Sequence, residues 1–256
     1  MEERVIQQRL KYEPYLRIAG LTVAITGDDF LLKLGKNYLV NKISHVDFTF
    51  DTQDDALLLQ RENPLITWEK CCYVASSRKF YSHLLSFGGF VLHASAVVLD
   101  GKSYLFSADS GTGKSTHTAL WCQHFGSDRA YILNDDKPII RKVDGKYLAF
   151  GAPWCGSSNL SVNGSAPIQG VTFLEQDESD WIQPIRPIEA LSKLLHHTEQ
   201  ALLPKGIMSL LSLFEDFITH IPIYRMGCTI SKHAILTAFN TMSQKADDQI
   251  CKNTAC

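Results

Sequence analysis

The chain has no CxxC pair, no cysteines grouped with histidines at metal-ligand spacing, and no apolar run that approaches the thickness of a bilayer. Each absence removes a class of protein. Without thiols at metal or redox spacing, the seven cysteines (Cys71, Cys72, Cys122, Cys155, Cys228, Cys251 and Cys256) read as free and reduced, an odd number being ill-suited to a disulfide framework. MEERVIQQRLKYEPY carries charge where a signal peptide needs an apolar stretch, so the sequence predicts a cytoplasmic protein with no membrane partner. The closing CKNTAC puts no cysteine fourth from the end, where a prenyl anchor would need one. Charge of one sign is missing too. Lys and Arg number 25 against 27 Asp and Glu, a formal balance of -2 that offers no field for a polyanion, so nucleic acid is not an expected partner. There is no internal repeat and no low-complexity tract.

What is present is an ordinary globular balance, 45% hydrophobic and 20% charged over 256 residues, which suits one main domain with a small appendage. From Leu16 to Asp51 the segments LRIAGLTVAIT, FLLKLGKNYLV and HVDFTFD read as short alternating strands, a β-rich N-terminal region over residues 1–65. Thr52 to Pro64 is polar without a clear period and reads as a connection; Trp68 to Phe87 has helical spacing and leads into the main domain, expected over 66–243. VLHASAVVL and KSYLFSA flank Asp100-Gly101, and PIIRKV and KYLAFG flank Asp144-Gly145, two strong hairpin signals. KSTHTALWCQHF reads as a helix closed by Gly126, and AYIL as a buried strand. Helices follow from Pro187-Ile188 to His197, Gly206 to His220 and Ser231 to Met242, with the short strand IPIYRM between the last two and a flexible tail over 244–256.

The stretch LFSADSGTGKSTHTALW runs strand, glycine-containing loop, Lys-Ser-Thr, helix. Unpaired N–H groups and the dipole at a helix start attract anions, so Asp109, Ser110, Gly111, Thr112, Gly113, Lys114, Ser115 and Thr116 form the expected phosphate loop of an ATP site. The two glycines let the backbone close on the phosphates, Lys114 reaches the outer phosphoryl oxygens, and Ser115 offers a hydroxyl to Mg²⁺. The full pattern GxxxxGK[ST] is not met, because Ala108 stands at its first glycine.

A two-residue turn at Asp100-Gly101 sets Leu99 opposite Lys102 and brings His93 opposite Ala108, at the mouth of the loop, with Ser95 on the same face as His93. Asp135 and Asp136 end the AYIL strand about twenty residues after Lys114, where one carboxylate can organise Mg²⁺ and the other accept a proton. The same arithmetic on the second hairpin pairs Asp136 with Pro153 and Asp135 with Trp154, so Trp154–Asn159 either rims the cleft or is a plain structural loop. His196-His197 reads as packing or surface rather than as a ligand pair, Cys71-Cys72 as buried small hydrophobes and Glu175 as a strand end.

The order HASAVVLDGKSYLFSADSGTGKST followed by LNDD resembles the catalytic domain of HPr kinase/phosphorylase, and SGTGKST is similar to the loop of ATP-dependent phosphoenolpyruvate carboxykinase. The resemblance spans roughly Phe90 to Glu175. It implies an α/β fold with a mixed, partly antiparallel sheet around the phosphate loop, a small β-rich N-terminal region and a helical C-terminal part. It further implies that His93 works beside the phosphates, that Lys114 and Ser115 hold nucleotide and metal with Asp136, and that Asp135 or Asp136 is the base. The chain is far shorter than a carboxykinase, and its N-terminal part does not resemble the regulatory domain of the HPr enzyme, which argues against HPr as substrate. It looks like a stand-alone relative of the kind that includes kinases of ribosomally made precursor peptides. The expected activity is Mg-dependent transfer of the γ-phosphoryl of ATP to a serine-type hydroxyl on a peptide, protein or small molecule. The alternatives are a non-catalytic nucleotide sensor and a phosphorylase acting on a phosphorylated acceptor.

Overall fold

A computed structural model describes residues 14–26, 29–198 and 206–253, with the side chains of 26, 50 and 245–253 left aside. The charged N-terminal stretch before residue 14 and the side chains of Cys251 and Cys256 fall outside the described residues. The chain divides into two compact units, Met1–Leu84 and Leu85–Cys256. The sequence sets the boundary at 65/66; the units divide later because the helix Trp68–Leu84 packs against the helix Gln53–Glu62 of the first unit, sharing a small core of Ala56, Cys71, Cys72 and Ala75.

The first unit holds a four-stranded sheet in the order β3-β1-β2-β4, from β1 (Tyr15–Ile18), β2 (Leu21–Thr26), β3 (Leu39–Val40) and β4 (Phe48–Asp51). Two readings change here. FLLKL is not a strand but a short helix, α1 (Asp29–Leu34), in which Leu31 is buried, and it is followed by Gly35, where a Cβ would meet the Leu16 side chain at 2.7 Å. Thr52–Pro64 is not a plain connection but holds α2 (Gln53–Glu62), started where the Asp51 carboxylate accepts the Gln53 N–H at 2.8 Å. Its buried stripe is only Ala56 with Leu59 packed alongside, while Leu57 and Leu58 are exposed, so its period is too thin to register. The third helix, α3, is Trp68–Leu84, as its spacing predicts.

The second unit is built on a mixed nine-stranded sheet. Its main path is β5-β9-β10-β11-β7-β6-β8, from β5 (Gly89–Val91), β6 (Ala94–Leu99), β7 (Lys102–Ser107), β8 (Ala130–Asn134), β9 (Ile139–Val143), β10 (Lys146–Phe150) and the long β11 (Ser165–Gln176). β12 (Trp181–Pro184) pairs with β13 (Ile223–Cys228), which runs parallel to the second half of β11. Both hairpins form in the expected register, Leu99 opposite Lys102 and Val143 opposite Lys146. Asp100 and Asp144 both lie at φ 48°, followed by Gly101 at 78° and Gly145 at 77°, the left-handed pair that a tight twisted hairpin requires.

Alternation along the strands splits the core into two layers. Ala96, Val98 and Leu105 face one side, packed with α5 (Pro187–His197) and α6 (Ile207–His220) through Leu194, Phe214 and Phe217. Val97, Leu99, Tyr104 and Phe106 face the other, packed with α4 (Lys114–Phe125) and α7 (Lys232–Asn253) through Trp121, Ala238 and Met242. Trp121 is fully buried, and enclosing side chains of this size contributes about 1.5–3 kcal/mol each. The last helix runs to Asn253 through most of the stretch read as a tail.

VLHASAVVL, one strand by pattern, breaks at Leu92–His93 because its two halves pair with different partners: β5 with β9, β6 with β7 and β8. The break lies where the sheet curls back on itself. Ala94 donates its N–H to the Asp136 carbonyl at 3.0 Å and Leu92 donates to the Pro138 carbonyl at 3.4 Å, so the segment carrying His93 lies against the segment carrying both aspartates.

Candidate functional site

The loop between β7 and α4 is shaped by two glycines that no other residue would replace without strain, Gly111 at φ 83° and Gly113 at φ 116°. Gly113 is the residue before the first turn of α4, so the free N–H groups of Lys114 and its neighbours open into the space in front of the helix. Lys114 is 7% exposed; its ammonium donates to the carbonyls of Ala108 at 2.8 Å and Asp109 at 3.2 Å, which draws the loop around the amine. Burial lowers its pKa from the usual lysine value, against the opposing pull of Asp136, Asp109 and Asp135. Ala108, where the motif pattern has glycine, is itself buried in the core beside Trp121 and Phe106, and it is not among the residues with left-handed backbone, so its methyl costs the loop nothing.

A cleft of about 490 Å³ opens in front of this loop, lined by His93, Ser110, Gly111, Gly113, Lys114, Ser115, Thr116, Asp135, Asp136 and Cys155 to Ser158. Most of the residues expected to act together therefore face one space. Asp109 and Thr112 do not; they line a second cleft on the far side of the loop, together with Phe173, Glu175, Gln176, Lys193 and His197.

The two aspartates are held by different means. Asp135 is 6% exposed, and one of its oxygens accepts the Ser95 hydroxyl at 2.6 Å. The Ser95 hydroxyl also lies 2.7 Å from that of Thr118, which is within reach of the Lys114 and Ser115 carbonyls at 3.3 and 3.2 Å, so the side chain that holds Asp135 is itself packed against the first turn of α4. Asp136 faces His93, Nε2 to carboxylate oxygen 3.4 Å. Burial tends to raise the Asp136 pKa, but the imidazole of His93 and the charges of Lys137 and Lys114 outweigh it and hold the carboxyl below its usual value. The backbone under Asp136 is fixed by Asn134, whose amide nitrogen donates to the carbonyls of Ala152 at 3.2 Å and Trp154 at 3.3 Å while its oxygen accepts the N–H groups of Asp136 at 3.0 Å and Lys137 at 2.7 Å.

Of the two readings of Trp154–Asn159, the cleft takes part and the core takes the rest. Trp154 is fully buried, whereas Cys155, Gly156, Ser157 and Ser158 line the space beside the acids. Gly156 has φ 69°, and a Cβ there would sit 3.0 Å from the Asp136 Cβ, so the loop rests directly on that carboxylate. The thiol of Cys155 is pushed up in pKa by burial and by the two aspartates, which keeps it protonated. Sequence reasoning places Ser95 on the His93 face without giving it a role, and it passes over Thr118 and Asn134; only the strand-to-helix packing shows what their hydroxyls and amide touch. Cys71 and Cys72 are buried in the first unit, and Glu175 pairs with Arg225 at 2.9 Å.

Against this geometry, a family profile described as "ScmC: SynChlorMet cassette protein ScmC" matches residues 67–234. The chain belongs to the ScmC family. No curated protein matches this ScmC-family chain. Among solved structures, one titled as the Hpr(Ser) kinase/phosphatase from Coxiella burnetii is similar over 64% of this chain and 94% of that one, with 10% sequence identity and a TM-score of 0.38. A likeness at that level leaves the ScmC-family residues themselves to argue for any activity. Among the described residues, no helix is long and apolar enough to cross a membrane.

Proposed function

We propose that this chain transfers the γ-phosphoryl group of ATP to a hydroxyl acceptor with the help of Mg²⁺. The observation that carries the reading is the meeting, in one cleft, of a buried lysine at a helix start, a serine hydroxyl beside it and two carboxylates from a neighbouring strand end. A buried ammonium whose pKa burial lowers, facing two carboxylates in an open cleft, is the kind of perturbed cluster that marks a functional site.

The donor set fits the ion. Ser115 and Asp136 supply hard oxygen ligands of the kind Mg²⁺ takes with phosphate oxygens and water, and the ion supplies charge neutralisation on the phosphates when bound. The chain's own residues do the rest. The loop amides and Lys114 orient the polyphosphate, and the ammonium stabilises charge that grows on the transferring group. Asp135, with one oxygen fixed by Ser95, takes the proton from the attacking hydroxyl on its other oxygen. His93, against Asp136, holds that carboxylate ionised and faces the space where the phosphoryl moves. Cys155 to Ser158 form the opposite wall, where a serine-type side chain of a peptide or small molecule would enter.

The test is transfer from γ-labelled ATP with Mg²⁺ to Ser-containing peptides and small alcohols, alongside nucleotide binding by calorimetry. Lys114→Ala removes both transfer and tight binding, with turnover down at least about a hundredfold. Asp135→Asn binds nucleotide as the native chain does and fails to transfer. Tight binding with no turnover by the native chain on any acceptor assigns it a sensing role instead, and equal turnover in both variants places the chemistry elsewhere.

A further inference from the structure

Three side chains that the proposed reaction leaves unused converge on the far side of the loop. Asp109 is the second residue after β7, and His196 and His197 close α5. Although 87 residues separate them in sequence, the His196 Nε2 and an Asp109 oxygen lie 3.4 Å apart, and one donor atom from each of Asp109, His196 and His197 lies within 4.8 Å of the other two. Two ligands each about 2.1 Å from a tetrahedral ion are roughly 3.4 Å from one another. The Asp109–His196 pair thus already spans one edge of such a coordination shell, and rotation of these two exposed side chains toward the half-buried His197 closes the rest.

We propose that Asp109, His196 and His197 bind a divalent cation of the zinc class, separate from the Mg²⁺ donors Ser115 and Asp136. Two imidazoles with one carboxylate are a borderline set that favours zinc, cobalt or nickel over magnesium, which prefers all-oxygen shells. A surface ion pair explains one histidine beside one carboxylate; the second imidazole, half-buried with its ring 5.4 Å from that of Phe173, brings a third donor to the same point. The C-terminal end of α5 adds the negative end of its helix dipole. With three protein ligands the ion keeps a position open at the rim of the second cleft, which Asp109 and His197 both line. The site also has a mechanical reach. The His197 carbonyl accepts the His93 N–H at 2.8 Å, so a cation here ties the start of the loop before α4 to the helix end that anchors the break between β5 and β6.

The proposal stands without the phosphotransfer reading, and its test needs neither nucleotide nor turnover. Metal-free full-length protein is titrated with Co²⁺, followed by visible ligand-field absorption and by competition with Zn²⁺. One ion per chain is expected, with tetrahedral-type absorption and no thiolate charge-transfer band. His196→Ala, at an exposed position, and separately His197→Gln each weaken binding at least tenfold with an unchanged circular dichroism spectrum, while Ser115→Ala/Asp136→Asn binds Co²⁺ as the native chain does. No saturable binding by the native chain overturns the proposal. So does undiminished binding by either histidine variant, or loss of binding confined to the Ser115/Asp136 variant.

Discussion

Protonating one buried histidine behind the loop should cost the second unit much of its stability in mild acid. His117 lies on α4 at 4% exposure, tilted against Phe106 with ring centroids 4.5 Å apart, and its Nε2 accepts the indole N–H of Trp121 at 3.1 Å. An acceptor nitrogen carries no proton, so the ring is the neutral tautomer with hydrogen on Nδ1, and adding the second proton breaks the bond to Trp121. Burial lowers the His117 pKa from 6.5 to about 4, against a weak opposing pull from Asp180. The unfolded chain therefore takes up a proton near pH 6.5 that the folded chain refuses until about pH 4, so the contribution is intact above 6.5 and is lost as pH falls through that window. At about 1.36 kcal/mol per pH unit, the loss by pH 4 is about 3 kcal/mol. The assay is urea unfolding followed by tryptophan fluorescence at pH 7.5 and pH 4, for the native chain and His117→Gln. The glutamine amide oxygen can still accept from Trp121, so the variant should lie within about 1 kcal/mol of the native chain at pH 7.5. It should then lose about 3 kcal/mol less on acidification. His197, whose pKa burial also lowers to about 4, acts in both proteins and cancels in the difference. Equal acid sensitivity of the two proteins, or a His117 ring that titrates near 6.5 by NMR, refutes the argument.

Ser95→Ala removes the hydroxyl that fixes Asp135 and should lower turnover about tenfold or more, the equivalent of one hydrogen bond to a charged group, while leaving the Michaelis constant for nucleotide unchanged; a matched rise in that constant would mean that the loop, not the base, was disturbed. Gly151→Ala should prevent folding of the second unit. A methyl there meets the Val162 carbonyl oxygen at 1.8 Å and the Leu133 carbonyl oxygen at 2.9 Å, both backbone atoms that cannot yield, so a variant with native thermal stability would contradict the packing.

Much of the site is legible in the sequence because it is written in local grammar. Asp-Gly turns set two registers to the residue. The first ladder ends at Ala94 opposite Ser107, one step short of His93 and Ala108. The second ends at Ile139 opposite Phe150, so the expected pairs Asp136–Pro153 and Asp135–Trp154 do not form. Asp135 donates its N–H to the Leu160 carbonyl instead, though Gly156 still lies against Asp136. The glycines, lysine and helix start of the loop are equally local. What fails is what depends on partners distant in sequence. Leu92–His93 looks like mid-strand because nothing nearby signals that the two halves pair with different neighbours. α2 is hidden because only two of its positions are covered. Ser95, Thr118 and Asn134 are common residues whose roles exist only once β6, α4 and the 152–154 backbone are packed together. Asp109 and Thr112 fall on the far side of the loop because its left-handed glycines reverse the chain, a curvature that a motif string does not encode.

Asn134 never enters the cleft, yet it is isosteric with the residue it would become on deamidation or by a single substitution. An aspartate there would still greet the amides of Asp136 and Lys137, but it would turn a charge toward the carbonyl oxygens of Ala152 and Trp154, where the amide now donates. The wall opposite the loop would be pushed off while the acids kept their own backbone restraint. A change of one atom in the interior would thus loosen the Cys155–Ser158 side of the cleft without touching any group that lines it.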